Sequence, residues 1–513
     1  MAKLVTLPEM LAIEKAADAS GLSYGQMMDN AGKSFVKHIL AHSQEGQNSI
    51  FALVGKGNNG GDALVALAEL LEMGWSATAY LVADRDGDPL LERFTQAGGL
   101  LILHDAANDN ALRESLAQAD VFVDALLGTG IQLPLRDEAA ALLASAKQAL
   151  ADLPERPLIV ALDCPSGMDC QSGELAPQAI PADLTVCMAA VKVGMLTLPA
   201  FDYLGRLEVG DIGLPADLKE WAQIDNRVID EREVAAALPD RSSASHKGTF
   251  GRALIVAGSP RYPGAALLSA RAAARSGAGL VTLAASSHLQ SAIAGHVPEV
   301  TWLPLAGSQE GLSAEHLAQL QPELPAYNAL LLGPGLGDHT QHTAFLEGFL
   351  AQPNLPPLVV DADALRFLAS QPNGPGSLSS PAILTPHPGE FAALTGLSKD
   401  QIQADRIALA GQYAREWGHI LVLKGALTVV ANPEGHVAVI PVAHPALATA
   451  GSGDVLAGAV TGLLAQGMPP YEAAYVGAWA HALAGRLAAE YHSTNRGILA
   501  GDLLEFLPEL LAK

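Results

Sequence analysis

Short apolar runs bounded by glycine, asparagine and aspartate recur along the 513-residue chain, and stretches of helical periodicity separate most of them. In the first half the runs are 50–54, 77–82, 121–124, 158–162 and 184–188. A strand that is continuously apolar, and not alternating, is covered on both faces, so these runs predict a parallel sheet between two layers of helices. Thr6-Leu7-Pro8-Glu9 has the form of a capping box with proline in the first turn, and predicts a helix from about Pro8. A second helix is expected over residues 27–32 and another over 63–73. The alternation returns in the second half, with strands near 253–257, 280–283, 329–332, 358–360, 383–384 and 420–423. Beyond Lys424 the strands shorten, around Val429 and 437–440, with a hairpin turn at Asn432-Pro433-Glu434-Gly435; helices from Gly453 onward close the chain.

The pattern weakens between Leu214-Pro215 and Pro239-Asp240, where charge rises at Asp230, Glu231, Arg232 and Glu233. A boundary near 224–226 follows, with one α/β domain over 1–218 and a second over 226–513. The linker is short enough that the two are expected to pack together.

Chemistry concentrates where strands end. Strand 50–54 runs into Gly55-Lys56-Gly57-Asn58-Asn59-Gly60-Gly61-Asp62, which is not a G-x-G-x-x-G fingerprint and offers amide carbonyls, backbone donors and a carboxylate together. Asp124 precedes Leu127-Gly128-Thr129-Gly130, and Asp163 precedes Pro165-Ser166-Gly167. Each alone is ordinary turn chemistry. Three oxygen-rich turns at one sheet edge suit a hard cation or a ribose-phosphate pocket. In the second half, small residues run from Ala448 up to Asp454 and an apolar helical pattern follows. Such a turn leaves unpaired N–H groups at a helix start, an anion site best suited to phosphate. Asp454 is a poor ligand for that anion and a better base toward a hydroxyl attacking it. Asp361 and Asp363 end a strand and can attend a magnesium ion or cap the next helix; the residues leave both open.

Thr385-Pro386-His387-Pro388-Gly389-Glu390, Lys424-Gly425-Ala426-Leu427-Thr428 and Ala450-Gly451-Ser452-Gly453-Asp454 occur in the order seen in ribokinase-like proteins. Together they resemble the ADP/ATP-dependent NAD(P)H-hydrate dehydratase family over about 226–513. The resemblance implies a ribokinase-like α/β domain, Asp454 as catalytic base, and substrate contacts from Ala265, Gly335, Gly337, His387 and Asp454. It also implies nucleotide contacts from Lys424, Gly425, Ala426, Leu427, Thr428 and Gly453, with Mg²⁺ and ADP or ATP. Ala443-His444 stands where that family usually has Gly-Asn, while Ala450 and Ser452 replace the common Gly and Thr. Residues 1–218 resemble the NAD(P)H-hydrate epimerase domain, a Rossmann-like doubly wound sheet. There the resemblance implies K⁺ held by Asn59, Asp124 and Ser166. It implies a substrate pocket from Asn58, Asn59, Gly60, Gly61 and Asp62, from Gly128, Thr129, Gly130, Ile131, Gln132, Leu133 and Pro134, and from Asp163, which is also the candidate for proton transfer. Ala63 stands where a further glycine is common. The expected function is bifunctional repair of hydrated NADH and NADPH (NADHX and NADPHX), by epimerisation and nucleotide-dependent dehydration of the S hydrate. The alternative is a small-alcohol kinase fused to a non-catalytic nucleotide-binding module.

The remaining properties narrow this reading. A net charge of −24 excludes a nucleic-acid groove and an anionic membrane surface, so bound nucleotides depend on local donors. Three cysteines without a C-x-x-C pair imply buried thiols and no zinc site. With no signal-peptide core and no long apolar run, a soluble cytoplasmic protein is expected. A homo-oligomer completes the expectation.

Overall fold

A computed structural model describes residues 2–105, 109–306 and 312–512. The chain divides into two compact units, Ala2–Asn226 and Arg227–Lys513.

The N-terminal unit is built on a parallel sheet of β1 (Ser49–Val54), β2 (Ser76–Leu81), β3 (Leu100–Leu103), β4 (Val121–Ala125), β5 (Leu158–Leu162), β6 (Leu184–Met188) and β7 (Arg206–Gly210), in the order β3-β2-β1-β4-β5-β6-β7. Two apolar cores lie on its faces: one joins Ile50, Ala52 and Val54 to Phe35 and Leu67, the other joins Phe51 and Leu53 to Phe122 and Leu142. Burial on both sides is why these strands are continuously apolar. Helix α1 (Leu7–Ala19) starts with the expected capping box, Thr6 and Glu9 exchanging bonds. Helix α2 (Tyr24–His42) packs on α3 (Asn58–Glu72).

Two strands depart from this burial. β3 is an edge strand whose Leu100, Leu101 and Leu103 are exposed, and β7 alternates polar and apolar residues. A second departure concerns Asn58–Asp62, expected as a turn before a helix beginning at Ala63. Those residues are already the first turn of α3, capped at Gly57. A Cβ on Gly60 would lie 2.1 Å from the Gly55 carbonyl oxygen, so glycine there permits the helix to start against the end of β1.

The C-terminal unit contains β8 (Arg252–Val256), β9 (Leu280–Ser286), β10 (Thr301–Leu305), β11 (Ala329–Leu332), β12 (Leu358–Val360), β13 (Ala382–Leu384), β14 (Ile420–Leu423), β15 (Val429–Ala431) and β16 (Val437–Val439). Their order is β10-β9-β8-β11-β12-β13-β14-β15-β16, parallel up to β14 and antiparallel through the hairpin. Gly435 N–H donates to Asn432 O at 2.8 Å and closes the expected turn. β10 was not anticipated; its Pro304 is tolerated because the strand has one neighbour. The helices that matter for chemistry are α4 (Pro263–Arg275), α5 (Ala362–Ser370), α6 (Pro388–Thr395), α7 (Ser452–Ala465) and α8 (Pro470–Tyr491). α7 is buried along almost its whole length and packs closely on α4, with Gly458 and Gly462 against the backbone of Ser269 and Ala273. Among the described residues no helix is long and apolar enough to cross a membrane.

Candidate active sites

In a doubly wound sheet the strands end along one edge, and loops from neighbouring strands meet there. In the N-terminal unit these loops enclose a cavity of about 690 Å³ lined by Asn58, Asn59, Asp62, Gly128, Thr129, Gly130, Ile131 and Asp163, together with Glu14, Lys56, Met188 and Lys192. Gly60 and Gly61 are buried, and neither they nor Gln132, Leu133 and Pro134 are among its lining residues. Asp163 adopts a left-handed backbone (φ 62°), an uncommon conformation outside glycine and one that accumulates at functional sites. Its Oδ1 accepts from Met188 N at 2.9 Å and from the Lys192 ammonium, an ion pair in which Lys192 is only 2 % exposed. Burial alone would lower the Lys192 pKa, but the charge and hydrogen bond of Asp163, together with Cys187 and Cys170, outweigh it and hold the group above its ordinary value. Asp62 is pushed well above the usual carboxylate range, first by burial and then by the charges of Asp163 and Glu14.

Asn59 and the Asp124–Ser166 pair converge on the backbone of Leu127. Asp124 is buried and accepts from Ser166 N at 2.8 Å and from Ser166 Oγ at 2.5 Å, while Leu127 N donates to that Oγ at 2.8 Å. Asn59 Nδ2 donates to Leu127 O at 3.1 Å, and Asn59 Oδ1 is buried with no hydrogen-bond partner. A buried orphan acceptor beside a buried carboxylate is the chemistry expected around a cation. Burial also lifts the Asp124 carboxyl above its ordinary pKa.

In the C-terminal unit the anticipated residues fall into two neighbouring groups. Ala265, Gly335 and Gly337 share one: a Cβ on Gly335 would lie 2.6 Å from the Ala265 Cβ, and Gly337 N donates to Asp363 Oδ2 at 2.8 Å. A cavity of about 280 Å³ opens beside them between Gly258–Tyr262 and Leu336–Asp338. The second group surrounds the start of α7. Gly451, in the left-handed region at φ 89°, caps this helix and turns the chain into it, so Asp454 sits in the first turn and is not the N-cap. Lys424 reaches across from β14: its ammonium donates to Asp361 Oδ1 at 2.7 Å and lies 3.8 Å from Glu390 Oε2. A Cβ on Gly453 would come within 3.3 Å of that ammonium. Asp361 also accepts from Thr385 Oγ1 at 2.7 Å; although it occupies the N-cap position of α5, its side chain makes no cap bond. Asp454 accepts no hydrogen bond among the described residues, and burial followed by the charge of Asp361 pushes its carboxyl up to about 7. His387 caps α6, its Nδ1 accepting from Gly389 N (2.9 Å) and Glu390 N (3.2 Å). Its imidazole is half-exposed, and burial together with Lys424 lowers its pKa. Gly425 and Ala426 are exposed, Leu427 is buried, and Thr428 Oγ1 donates to Gly425 O at 3.0 Å.

Several partners were not anticipated. Lys192 stands alone in the apolar stretch Met188-Ala189-Ala190-Val191-Lys192-Val193, a signal that it must be paired if buried. Thr385 was visible only as part of its motif. Glu14, on the amphipathic α1, carried no signal. Arg406 holds the backbone of Lys424 through Leu423 O and Lys424 O (3.0 and 3.1 Å), and it is distant in sequence from any motif.

A family described as NAD(P)H-hydrate dehydratase matches residues 253–509, and one described as YjeF-related protein N-terminus matches residues 24–194. The bifunctional NAD(P)H-hydrate repair enzyme of Moorella thermoacetica is 38% identical over 99% of this chain and 96% of its own length. That of Coxiella burnetii is 35% identical over 97% of both. The crystallised ADP/ATP-dependent NAD(P)H-hydrate dehydratase of Bacillus subtilis is 32% identical, covering 55% of this chain and 96% of its own, with a TM-score of 0.47. Two family matches on one chain, and 38% and 35% identity over nearly the whole length of two bifunctional NAD(P)H-hydrate repair enzymes, lead to one conclusion: the chain belongs to that family.

Proposed function

We propose that residues 226–513 dehydrate the S hydrate of NADH or NADPH at the expense of a nucleotide phosphoryl group, and that residues 1–218 interconvert the R and S hydrates. The observation that carries the first activity is Asp454, a half-buried carboxyl that accepts no hydrogen bond among the described residues, in the first turn of α7 with Lys424 alongside. Water adds to reduced nicotinamide at the ring carbon next to nitrogen, leaving a hydroxyl there. Asp454 takes the proton of that hydroxyl as it attacks the terminal phosphoryl of ADP or ATP. The N–H groups at the start of α7 and the Lys424 ammonium hold the anionic oxygens. The ring nitrogen's lone pair then expels phosphate, and loss of a proton from the adjacent carbon restores the coenzyme. Ala265, Gly335, Gly337 and His387 line the approach for the hydrate.

Magnesium bound with the nucleotide offsets phosphate charge. An ion that arrives on phosphates would take one or two carboxylates, which Asp361, Asp363 and Glu390 would supply here. In the N-terminal unit, potassium fits the orphan Asn59 Oδ1, the Asp124 carboxylate and Ser166 Oγ, a set with one formal charge where calcium sites use several. It would tie three loops together. The free buried thiols Cys164, Cys170 and Cys187 suit a cytoplasmic location. The exposed leucines of edge strand β3 support a homo-oligomer.

An ordinary kinase would leave a stable phosphorylated product. Incubation of the protein with S-NADHX, Mg²⁺ and ADP or ATP should release one inorganic phosphate for each NADH formed. Accumulation of a phosphorylated hydrate without NADH would establish the kinase reading instead.

A further inference from the structure

Four ionisable side chains from four elements meet in the N-terminal cavity: Glu14 of α1, Asp62 of α3, Asp163 after β5 and Lys192 of the short strand Val191–Lys192. Lys192 is held on both sides, donating to Asp163 and, at 3.1 Å, to Met188 O. Both described donors to Asp163, the Lys192 ammonium and Met188 N–H, go to Oδ1. The second oxygen, Oδ2, has no partner among the described residues and belongs to a side chain that is 15 % exposed in the cavity. The left-handed backbone of Asp163 and the buried lysine therefore act together to aim one free carboxylate oxygen at whatever fills this space.

For the epimerisation assigned above, on which this inference rests, we propose that Lys192 is the positioning residue that aims Asp163, and that Asp62 is the catalytic residue that exchanges a proton with the ring nitrogen while Asp163 serves the hydroxyl. The carbon to be inverted carries both a hydroxyl and the ring nitrogen, so it inverts by opening and reclosing the ring. Asp163 takes the hydroxyl proton as C–O becomes C=O. The carbon–nitrogen bond breaks with its electron pair going to nitrogen, and Asp62 supplies a proton there. Rotation of the resulting aldehyde presents its other face; the reverse steps return both protons and need no further reactant.

The charges around Asp62 suit a donor. Asp163, Glu14 and Lys192 act on it from three other elements, and Lys56 lies at the exposed rim on the loop before α3. Burial and the two carboxylates together outweigh the lysine, so Asp62 retains its proton above the ordinary carboxylate range. As pH rises through that raised value the donor is lost, which places Asp62 on the alkaline side of the profile.

The test uses the full chain and its own dehydratase activity toward S-NADHX as a folding control, with epimerisation of R-NADHX followed separately. Lys192→Met should lower kcat for epimerisation by about 10²-fold with KM within about threefold, and Lys192→Arg should restore at least about tenfold of that loss. Asp62→Asn should lower kcat similarly and flatten the alkaline limb, while Glu14→Gln should move that limb to lower pH by removing a like charge. Wild-type kcat in Lys192→Met, or a loss confined to KM, would overturn the positioning role. Should Lys192→Met melt early, the uncharged isostere Asp62→Asn decides: an unchanged rate with an intact alkaline limb would overturn the assignment. Absence of epimerisation by the wild type itself would remove the underlying reading, and the residue roles with it.

Discussion

Asp454→Asn is expected to lower hydrate dehydration by about 10²-fold or more while leaving nucleotide binding intact. The phosphate-facing N–H groups belong to the backbone of α7 and survive the substitution, and Lys424 keeps its bond to Asp361. What disappears is the one carboxyl in this group that accepts no hydrogen bond among the described residues and is therefore free to take a proton. Its value of about 7 also sets a direction with pH. A base must be ionised, so kcat/KM for wild-type dehydration should rise as pH rises through about 7, and the residual rate of Asp454→Asn should lack that rise. The same shift separates catalysis from folding. A carboxyl whose folded value exceeds its unfolded value binds more protons in the native state, so its ionisation weakens the fold as pH climbs from about 4 to about 7. Asp454→Asn should consequently melt no lower than wild type at pH 8. Near-normal turnover, or a rate loss accompanied by a lowered Tm, would remove Asp454 from the proton transfer.

Asp124→Ala is expected to abolish most epimerisation and leave dehydration unchanged, because Asp124 lies in the unit Ala2–Asn226. Asp124 carries the formal charge of the Asn59, Asp124 and Ser166 set, and its removal also strands Ser166 N and Oγ, which both donate to it. A merely structural aspartate would contribute about 1 kcal/mol through its turn, independent of the salt present. A cation site behaves differently: wild-type epimerisation should fall in potassium-free buffer and recover when potassium is returned, and Asp124→Ala should respond to neither. Equal wild-type rates in both buffers, together with a crystal grown in potassium that shows no ion against Asn59 Oδ1, would contradict the cation reading.

Much of this architecture was readable from the chain because parallel strands buried on both faces leave an unbroken apolar signature, as at residues 50–54 and Leu158–Leu162. Edge strands follow it less strictly: Leu100–Leu103 is unbroken in sequence yet largely exposed, and Thr301–Leu305, with one neighbour, tolerates a proline that interrupts the run. The loops that carry chemistry were legible as clusters of glycine, asparagine and aspartate, but their conformation was not. Asn58–Asp62 is helical because the close approach of Gly60 to the Gly55 carbonyl depends on where β1 ends, which no local propensity encodes. Pairings across the fold were the least accessible. Lys424 with Asp361, and Lys192 with Asp163, join residues 63 and 29 positions apart, so only their separate oddity in sequence could be seen. Arg406, whose side chain braces the backbone at Lys424, had no such oddity at all.

The central claim is that one chain both interconverts the hydrates and dehydrates one of them. Its most direct test is recovery of absorbance at about 340 nm, where reduced nicotinamide absorbs, from an equilibrium mixture of R- and S-NADHX with ADP or ATP and Mg²⁺. The account predicts complete conversion in a continuous course, faster than spontaneous epimerisation in a control lacking protein. A rapid partial recovery, followed by a remainder that returns only at the spontaneous rate, would contradict it.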